Sequence, residues 1–315
     1  MALLADFVFF CIFIFILARS SAWTIRSISK ISAFLRIGEF TSGFIILAFA
    51  TTLPELLVGI NSAIANTPAL SLGNVLGSNI ANLTLILGIV ILVGRGIKIK
   101  SKFIRKDSFY ILLIAALPIF LMLDHELSRV DGVALIITFI IYIFKIKKER
   151  KKYENKINHA TGYEMFNNIA LFILGILVLL ISANFVVRFG INLAQDLNVA
   201  PILIGLFLIA IGTSIPELVL GIRSALSGHE ELSVGDLLGA VAINSTLVLG
   251  ITALIRPILT HYTIFITSAF FMLGACLLVL LFVHFDKKIT IKEGLILLLF
   301  YIIFTIIEIG LNGLI

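Results

Sequence analysis

Residues 43–55 read GFIILAFATTLPE, an apolar run that stops at a Thr-Thr-Leu-Pro-Glu sequence. Pro54 has no N–H to donate to the carbonyl of Ala50, and its ring crowds that carbonyl, so a helix is expected to break here. In so apolar a run the break is expected inside a membrane, where water does not satisfy the freed oxygen. Glu55 follows in the first turn of a new half-helix, and a charge at this depth costs about 3 kcal/mol. The stretch therefore predicts a broken membrane helix with a functional carboxylate.

The same pattern occurs again at residues 205–217, which read GLFLIAIGTSIPE. Placing Glu217 on Glu55 defines an offset of 162 residues. The offset aligns further pairs without a gap: Gly59 with Gly221, Ser62 with Ser224, Gly73 with Gly235, Gly77 with Gly239, Asn82 with Asn244 and Gly88 with Gly250. Self-similarity at one fixed period indicates a repeated unit. We therefore predict two homologous halves, 1–155 with a linker at its end and 156–315.

The composition is typical of a polytopic membrane protein. Charged residues make up 13% of the 315 and hydrophobic residues 60%, whereas a soluble domain keeps about 25% charged residues. A membrane helix needs about 20 predominantly apolar residues. The predicted fold is all-α, with ten transmembrane helices, five in each half: 2–18, 38–62, 70–94, 108–123, 131–147, 165–187, 199–226, 234–255, 262–284 and 292–311.

The basic residues orient these spans. All of the 24 Lys and Arg residues except Arg129, Arg188 and Arg256 fall on one side, which the excess of basic residues marks as cytoplasmic. Both termini are then predicted outside the cell membrane, and the second repeat is inverted relative to the first, with its broken helix at mid-membrane. A cytoplasmic rim beside anionic lipid explains the net charge of +6, so no nucleic-acid partner is expected.

A second polar segment follows each predicted break. Residues 73–82 read GNVLGSNIAN, and residues 235–244 read GDLLGAVAIN. Ser78 and Asn82 are four residues apart and share a helix face, which we expect to look toward Glu55. The glycines have the same spacing, which lets membrane helices approach closely. A packing seam of small residues explains the glycines but leaves the glutamates and threonines unexplained.

The predicted site offers only oxygen ligands. They are the side chains or freed backbone carbonyls of Glu55, Glu217, Thr51, Thr52, Thr213, Ser214, Ser78, Asn82, Asn244, Ala48, Ala50, Ala210 and Gly212. The histidines fall in loops or at span ends, and Cys11 and Cys276 are predicted to be separate packed thiols. Hard oxygen ligands favour calcium, or sodium of similar radius. Two glutamates balance one divalent or two monovalent ions, as an exchanger requires.

At these residues the chain resembles the calcium/cation antiporter superfamily, in particular its prokaryotic sodium/calcium exchanger branch. The paired blocks T/S-T/S-L/I-P-E and G-N-x-x-G-S-N look like the alpha repeats of that family, and the likeness covers the whole chain. The resemblance implies exchange of cytosolic calcium for external sodium or protons by alternating access. It also implies a central calcium site at Glu55, Glu217, Thr51 and Thr213, and flanking sodium sites that include Ser78, Asn82, Ser214 and backbone carbonyls.

The second repeat departs from the family pattern. Asn244 stands where many sodium-driven members carry an acid, and Ala240 stands where they carry a serine. Only Glu55 and Glu217 then contribute charge, and three sodium ions would leave one positive charge uncompensated in a low dielectric. Two sodium ions, or protons, are the expected counter-ions. Asp236 lies two turns from Asn244 and is interpreted as a residue of the helix N-terminus or the access path rather than a ligand.

Other activities compete with sodium/calcium exchange. A proton/calcium exchanger would use the same fold and residues. A calcium-permeable channel also needs an acidic, oxygen-lined constriction, although the inverted duplication favours movement between two states. The spans contain no HExxH motif, no Ser/His pair and no pair of aspartates, so neither an enzyme nor a cofactor is expected. The sequence leaves the counter-ion, the stoichiometry and the oligomeric state open.

Overall fold

The computed structural model describes residues 2–34, 48–99, 102–150, 162–228, 230–259, 262–285 and 288–311. Within these ranges the chain is almost entirely helical. The first half contains α1 (Ala2–Phe34), α2 (Leu53–Ile64), α3 (Pro68–Ala81), α4 (Leu87–Val93), α5 (Lys102–Leu121) and α6 (Arg129–Arg150). The second half contains α7 (Gly162–Asp196), α8 (Pro201–Leu203), α9 (Ala210–Thr213), α10 (Ile215–Leu226), α11 (Glu230–Ile243), α12 (Leu249–Ile255), α13 (Tyr262–Phe285) and α14 (Ile291–Leu311).

Shorter elements connect these helices. Three π-helical turns join α3 to α4, α8 to α9 and α11 to α12: Asn82–Ile86, Ile204–Ile209 and Asn244–Val248. Four two-residue strands lie in the loops: β1 (Ile97–Lys98), β2 (Glu126–Leu127), β3 (Ile258–Leu259) and β4 (Lys288–Ile289). The first and third of the π turns start 162 residues apart, so the internal repeat extends to this irregular feature.

Each predicted span overlaps a helix among the described residues. Seven helical segments there are long and apolar enough to cross a membrane: Leu3–Ser27, Pro68–Val93, Phe166–Asp196, Pro201–Leu226, Glu231–Ile255, Thr263–His284 and Ile291–Leu311. Two apolar helices are shorter, Leu53–Ile64 and Ser108–Asp124. Residues 38–47 of the second predicted span lie outside the described residues. That all ten segments cross the membrane stays a prediction.

The first predicted span ends too early. Helix α1 continues to Phe34, so Arg19, Arg26 and Lys30 lie on a helix rather than in a loop. Residues 19–34 contain neither Gly nor Pro, so no helix-breaking residue ends the helix at residue 18. The extension packs along α7, where Gly175 leaves room for Thr24.

Both predicted helix breaks are present, and each is confined to one residue. The chain is helical at residues 48–51 and again from α2, and Thr52 between them has φ −82° and ψ 0°. Ser214 separates α9 from α10 with nearly the same backbone, φ −85° and ψ 4°. Pro54 and Pro216 lie in the first turn of the new helices, where their missing N–H costs least.

The two halves interlock through their loops and helices. Strand β1 pairs with β4, and β2 pairs with β3, both antiparallel. The offset of 162 places β2 on β4 and β1 within one residue of β3, so the two pairs are related by the repeat. Helix α14 packs on α4, and α6 packs on α12, which is the corresponding contact. Each half therefore completes the packing of the other.

Glycines allow the backbone of α3 to contact the backbone of α8 and the π turn that follows it, together called the α8 segment (Pro201–Ile209). A Cβ atom built on Gly73 would clash with the carbonyl oxygen of Ile202, and one built on Gly77 would clash with the carbonyl oxygen of Leu206. From the other side, a Cβ on Gly205 would meet the carbonyl of Leu70. The close approach expected from the glycine spacing is therefore confirmed at this crossing.

The outer surface is apolar. Large hydrophobic side chains such as Phe15, Phe144, Phe166 and Ile306 are exposed on α1, α6, α7 and α14. A surface of this kind suits contact with lipid rather than water. Cys11 lies on it and is exposed, so the prediction that this thiol is packed is wrong, whereas Cys276 is buried as predicted.

Candidate cation site

The predicted ligands are all buried in the interior. They come from the helix end at residues 48–51 and from α2, α3, α9, α10 and the two π turns that start at Asn82 and Asn244. Glu55 and Glu217 are 0% exposed. Because the kinks at Thr52 and Ser214 have the same geometry, each presents a glutamate three residues further along the chain.

The two glutamates are buried without a hydrogen bond to any of their four carboxylate oxygens. They are close enough for their charges to repel each other. No Lys, Arg or His side chain among the described residues offsets either charge. A buried carboxylate of this kind costs several kcal/mol unless a proton or cation is bound, so the pair is built to take up positive charge.

Two threonines bridge the halves in equivalent ways. The Thr51 hydroxyl donates to Asp236 Oδ1 at 3.4 Å, and the Thr213 hydroxyl donates to Asn74 Oδ1 at 3.1 Å. The two pairs are equivalent in the repeat, because Thr51 aligns with Thr213 and Asn74 aligns with Asp236 at the offset of 162. Both hydrogen bonds join residues of different halves, so the site forms only where the repeats meet.

Each glutamate lies beside a threonine hydroxyl of the opposite half. The hydroxyls of Thr213 and Ser78 lie near the carboxylate of Glu55 without forming a well-aligned hydrogen bond to it, and the Ser78 hydroxyl is 3.4 Å from that of Thr213. Thr51 interacts with the carboxylate of Glu217. Ser78 therefore lies near Glu55, whereas the expectation that Asn82 faces Glu55 stays a prediction. The sequence did not predict the pairing of each glutamate with the threonine of the other repeat.

The asparagine amides form a second group of candidate ligands. Asn244 Nδ2 donates to Asn79 Oδ1 at 3.2 Å, and Asn79 Nδ2 donates to Ser245 Oγ at 2.9 Å. This network leaves Asn244 Oδ1 without a donor, and both polar atoms of Asn82 are also unpaired and buried. Carbonyl oxygens in that position are suited to a hard cation.

The backbone carbonyls of Ala48 and Ala210 differ from the expectation that the breaks leave them free. Ala48 O accepts hydrogen bonds from the backbone N–H of Thr52 and from the hydroxyls of Thr51 and Thr52. Ala210 O accepts from the N–H of Ser214 and the hydroxyl of Thr213. The kinks are narrow enough to keep these helical bonds, so a cation would share or replace the hydroxyl donors.

Three polar residues of the site were not among the predicted ligands: Asp236, Asn74 and Asn79. Each lies in the polar segment that follows a break, and each is buried and hydrogen-bonded to a site residue. Their position as polar residues within an apolar helix was the sequence signal that could have identified them as part of the site. Within the described ranges, no three His, Cys, Asp or Glu side chains come close enough to hold one metal ion together. Hydroxyl, amide and backbone oxygens would thus supply most ligands of a calcium ion.

Comparison with known proteins assigns the family. The family model described as sodium/calcium exchanger protein matches residues 5–146 and 167–310. The sodium/calcium exchanger MaX1 of Methanosarcina acetivorans is 27% identical over 334 aligned positions, which cover 92% of this chain and 95% of that protein. The inner membrane protein YrbG of Escherichia coli is 31% identical over 225 positions, covering 68% and 69%.

The fold is shared with solved structures of the same family. The sodium-calcium exchanger NCX_Mj, soaked with 10 mM Na+ and 10 mM Sr2+, is 25% identical and superimposes with a TM-score of 0.70 over 96% of this chain and 97% of its own. A second structure of NCX_Mj, soaked with 2.5 mM Na+ and 10 mM Sr2+, gives a TM-score of 0.69. The chain belongs to the sodium/calcium exchanger protein family.

Proposed function

We propose that this protein is a secondary active antiporter that exchanges calcium for sodium across the cell membrane by alternating access. The observation that carries the proposal is the pair of buried glutamates, one from each repeat, whose four carboxylate oxygens have no hydrogen-bond donor. Buried hydroxyl and amide oxygens surround them, as a site for calcium and sodium requires. Membership of a family of exchangers supports a transporter rather than an enzyme.

The proposed topology has ten spans in two inverted repeats, 1–155 and 156–315, with both termini outside. The family model matches two separate segments, one in each half. The strand pairs agree with the orientation, because β1 and β4 lie in loops that we assign to the cytoplasm, and β2 and β3 in loops that we assign to the outside. Alternating access in such proteins moves one set of helices against another around a site at mid-membrane.

In the proposed site a calcium ion lies between Glu55 and Glu217. The hydroxyls of Thr51 and Thr213 contribute to it, which their interactions with the two carboxylates support. Sodium ions occupy flanking positions formed by Thr52, Ser78, Asn82, Ser214, Asn244 and the carbonyls of Ala48 and Ala210. The free Oδ1 atoms of Asn82 and Asn244 support this assignment.

Calcium flux into proteoliposomes tests the function. Vesicles that contain the purified protein and internal sodium are diluted into sodium-free medium with labelled calcium. We expect uptake that requires the outward sodium gradient and stops when the gradient is dissipated. Uptake driven only by a proton gradient would identify a proton/calcium exchanger. Uptake that needs no counter-ion gradient would identify a channel and contradict the proposal.

A further inference from the structure

Asp236 is a buried carboxylate next to the proposed site. It lies in the second turn of α11, which begins at Glu230, and its side chain is 1% exposed. Asp236 therefore lies about one turn inside α11 rather than at its N-terminus, and its interpretation as a residue of the access path stays a prediction. At the offset of 162 it corresponds to Asn74 of α3, so the second half has an acid where the first half has an amide.

The Thr51 hydroxyl connects Asp236 to the exchange site. It lies 3.4 Å from Asp236 Oδ1 and also interacts with the Glu217 carboxylate. One hydroxyl has one proton and cannot satisfy two carboxylates. The carbonyl of Ala48 lies 3.2 Å from the same hydroxyl and is a third acceptor. When that carbonyl takes the proton, the lone pairs of Thr51 are free to face a cation between Asp236 and Glu217.

The charges of the three acids act on one another. Asp236 and Glu55 both repel Glu217, and Glu55 repels Asp236. No basic side chain in the described part of the chain offsets any of them. Burying a third carboxylate beside two others is costly unless cations compensate it. If position 236 had only a structural function, an asparagine would suffice, as at the equivalent Asn74 of the first half.

We propose that Asp236 is a third cation-binding carboxylate of the exchange site, and that it holds one sodium ion together with Thr51 and Glu217. The proposal rests on the proposed function of this site. The sodium ion occupies its own position beside calcium, since no three acidic side chains are close enough to share one ion. Many family members are expected to carry an acid at the position of Asn244. In this chain Asp236 supplies an acid instead, about 12 Å closer to the N-terminus of the same helical segment.

The charge count changes as a result. Glu55, Glu217 and Asp236 together balance three sodium ions, whereas the sequence led us to expect a site with two charges and room for two. The sodium-loaded site is then neutral, and the calcium-loaded site carries one negative charge. We therefore expect three sodium ions per calcium ion rather than two.

The Asp236→Asn variant tests this, because asparagine keeps an acceptor for Thr51 and removes only the charge. The reversal potential of calcium flux is measured in proteoliposomes against a series of imposed sodium gradients. We expect three sodium ions per calcium for the native protein and two for the variant, with the sodium concentration for half-saturation raised about tenfold. Glu231→Gln is the matched control, because it removes one charge from the partly buried start of the same helix and should leave the stoichiometry at three.

A second measurement does not depend on the variant being folded. Bound labelled sodium is counted per chain in the purified native protein at saturation. Three ions support the proposal, and two overturn it. An unchanged reversal potential in Asp236→Asn also overturns it. Failure of the antiport proposal is a different result, namely calcium flux through the native protein that ignores every sodium gradient, and the count of bound sodium is informative in that case too.

Discussion

Glu55 and Glu217 are buried carboxylates whose charged forms are costly in the empty protein. Their four oxygens are buried without hydrogen-bond donors, and the two charges repel. This cost is offset when cations or protons are bound. Substitution of either residue should therefore abolish transport without lowering the stability of the fold, because removing a buried charge does not destabilise the protein when no cation is bound.

Glu55→Gln or Glu217→Gln is expected to reduce sodium-driven calcium uptake to background. Each substitution removes half of the central charge that offsets a dehydrated divalent ion. Both variants should elute as folded protein and, without calcium, unfold at the temperature of the native protein or above it. Labelled calcium uptake is compared with Glu126→Gln, which removes a carboxylate from β2. Near-native uptake by either variant would contradict the central site.

Asn244→Asp is expected to change the sodium dependence of exchange. The substitution adds a charge at a position whose Oδ1 is unpaired and buried, and it removes the amide that donates to Asn79. A higher charge in the site should strengthen sodium binding, so half-saturation moves to lower sodium concentration. The initial rate of calcium uptake is measured as a function of sodium. Identical curves for the variant and the native protein would show that position 244 does not contact sodium.

At the scale of elements, the crossing of α3 with the α8 segment positions the site. Glycines at this crossing bring two backbones into contact, and the same stretch of α3 carries Ser78 and Asn79. The π turns begin at Asn82 and Asn244, so both asparagines lie where the regular helix changes to a wider turn. Small shifts of this crossing therefore alter the ligand geometry directly.

Gly77→Ala is expected to lower the melting temperature and to weaken calcium binding. The added methyl group would clash with the carbonyl oxygen of Leu206, and overpacking of this kind costs about 1–3 kcal/mol. Gly310→Ala is the control, because a Cβ at Gly310 in α14 meets no atom within 4 Å. Thermal unfolding of both variants is followed in detergent. Equal melting temperatures would show that the crossing relaxes without cost.

At the scale of the whole molecule, the two halves are interlocked rather than side by side. Each strand pair takes one strand from each half, and the packing of α4 on α14 is repeated by α12 on α6. A cation site at this junction would respond to any movement of one half relative to the other. The proposed inverted topology predicts that the two strand pairs lie on opposite sides of the membrane.

Cysteine labelling checks the topology. Leu259→Cys in β3 and Lys98→Cys in β1 place thiols at exposed positions of the two strand pairs. In a background that carries Cys11→Ser, a membrane-impermeant maleimide should label the Leu259→Cys variant in intact cells. The Lys98→Cys variant should react only after permeabilisation. Labelling of both variants from the outside would rule out the inverted arrangement.

Local features of the sequence were enough to predict much of this protein. The proline at each break removes a backbone donor wherever the chain folds, and the constant offset of 162 needs no coordinates. Buried polar residues in apolar runs are costly in any fold, so Glu55, Glu217 and the polar segment after each break were recognisable as candidates for function. The kinks at Thr52 and Ser214 and the burial of all these side chains agree with this reading.

Contacts between distant segments required the tertiary structure. Thr51 and Asp236 are 185 residues apart, and no periodicity relates a threonine to the acid of the opposite repeat. The contact between Thr24 in the extension of α1 and Gly175 of α7 also joins segments remote in sequence. The bonds to Ala48 O depend on how narrow the kink is. Residue types and spacing therefore determined most of the groups of the candidate site, but not Asp236, Asn74 and Asn79. The crossing of the halves decided which groups meet, because that geometry arises from packing between helices that are remote in sequence.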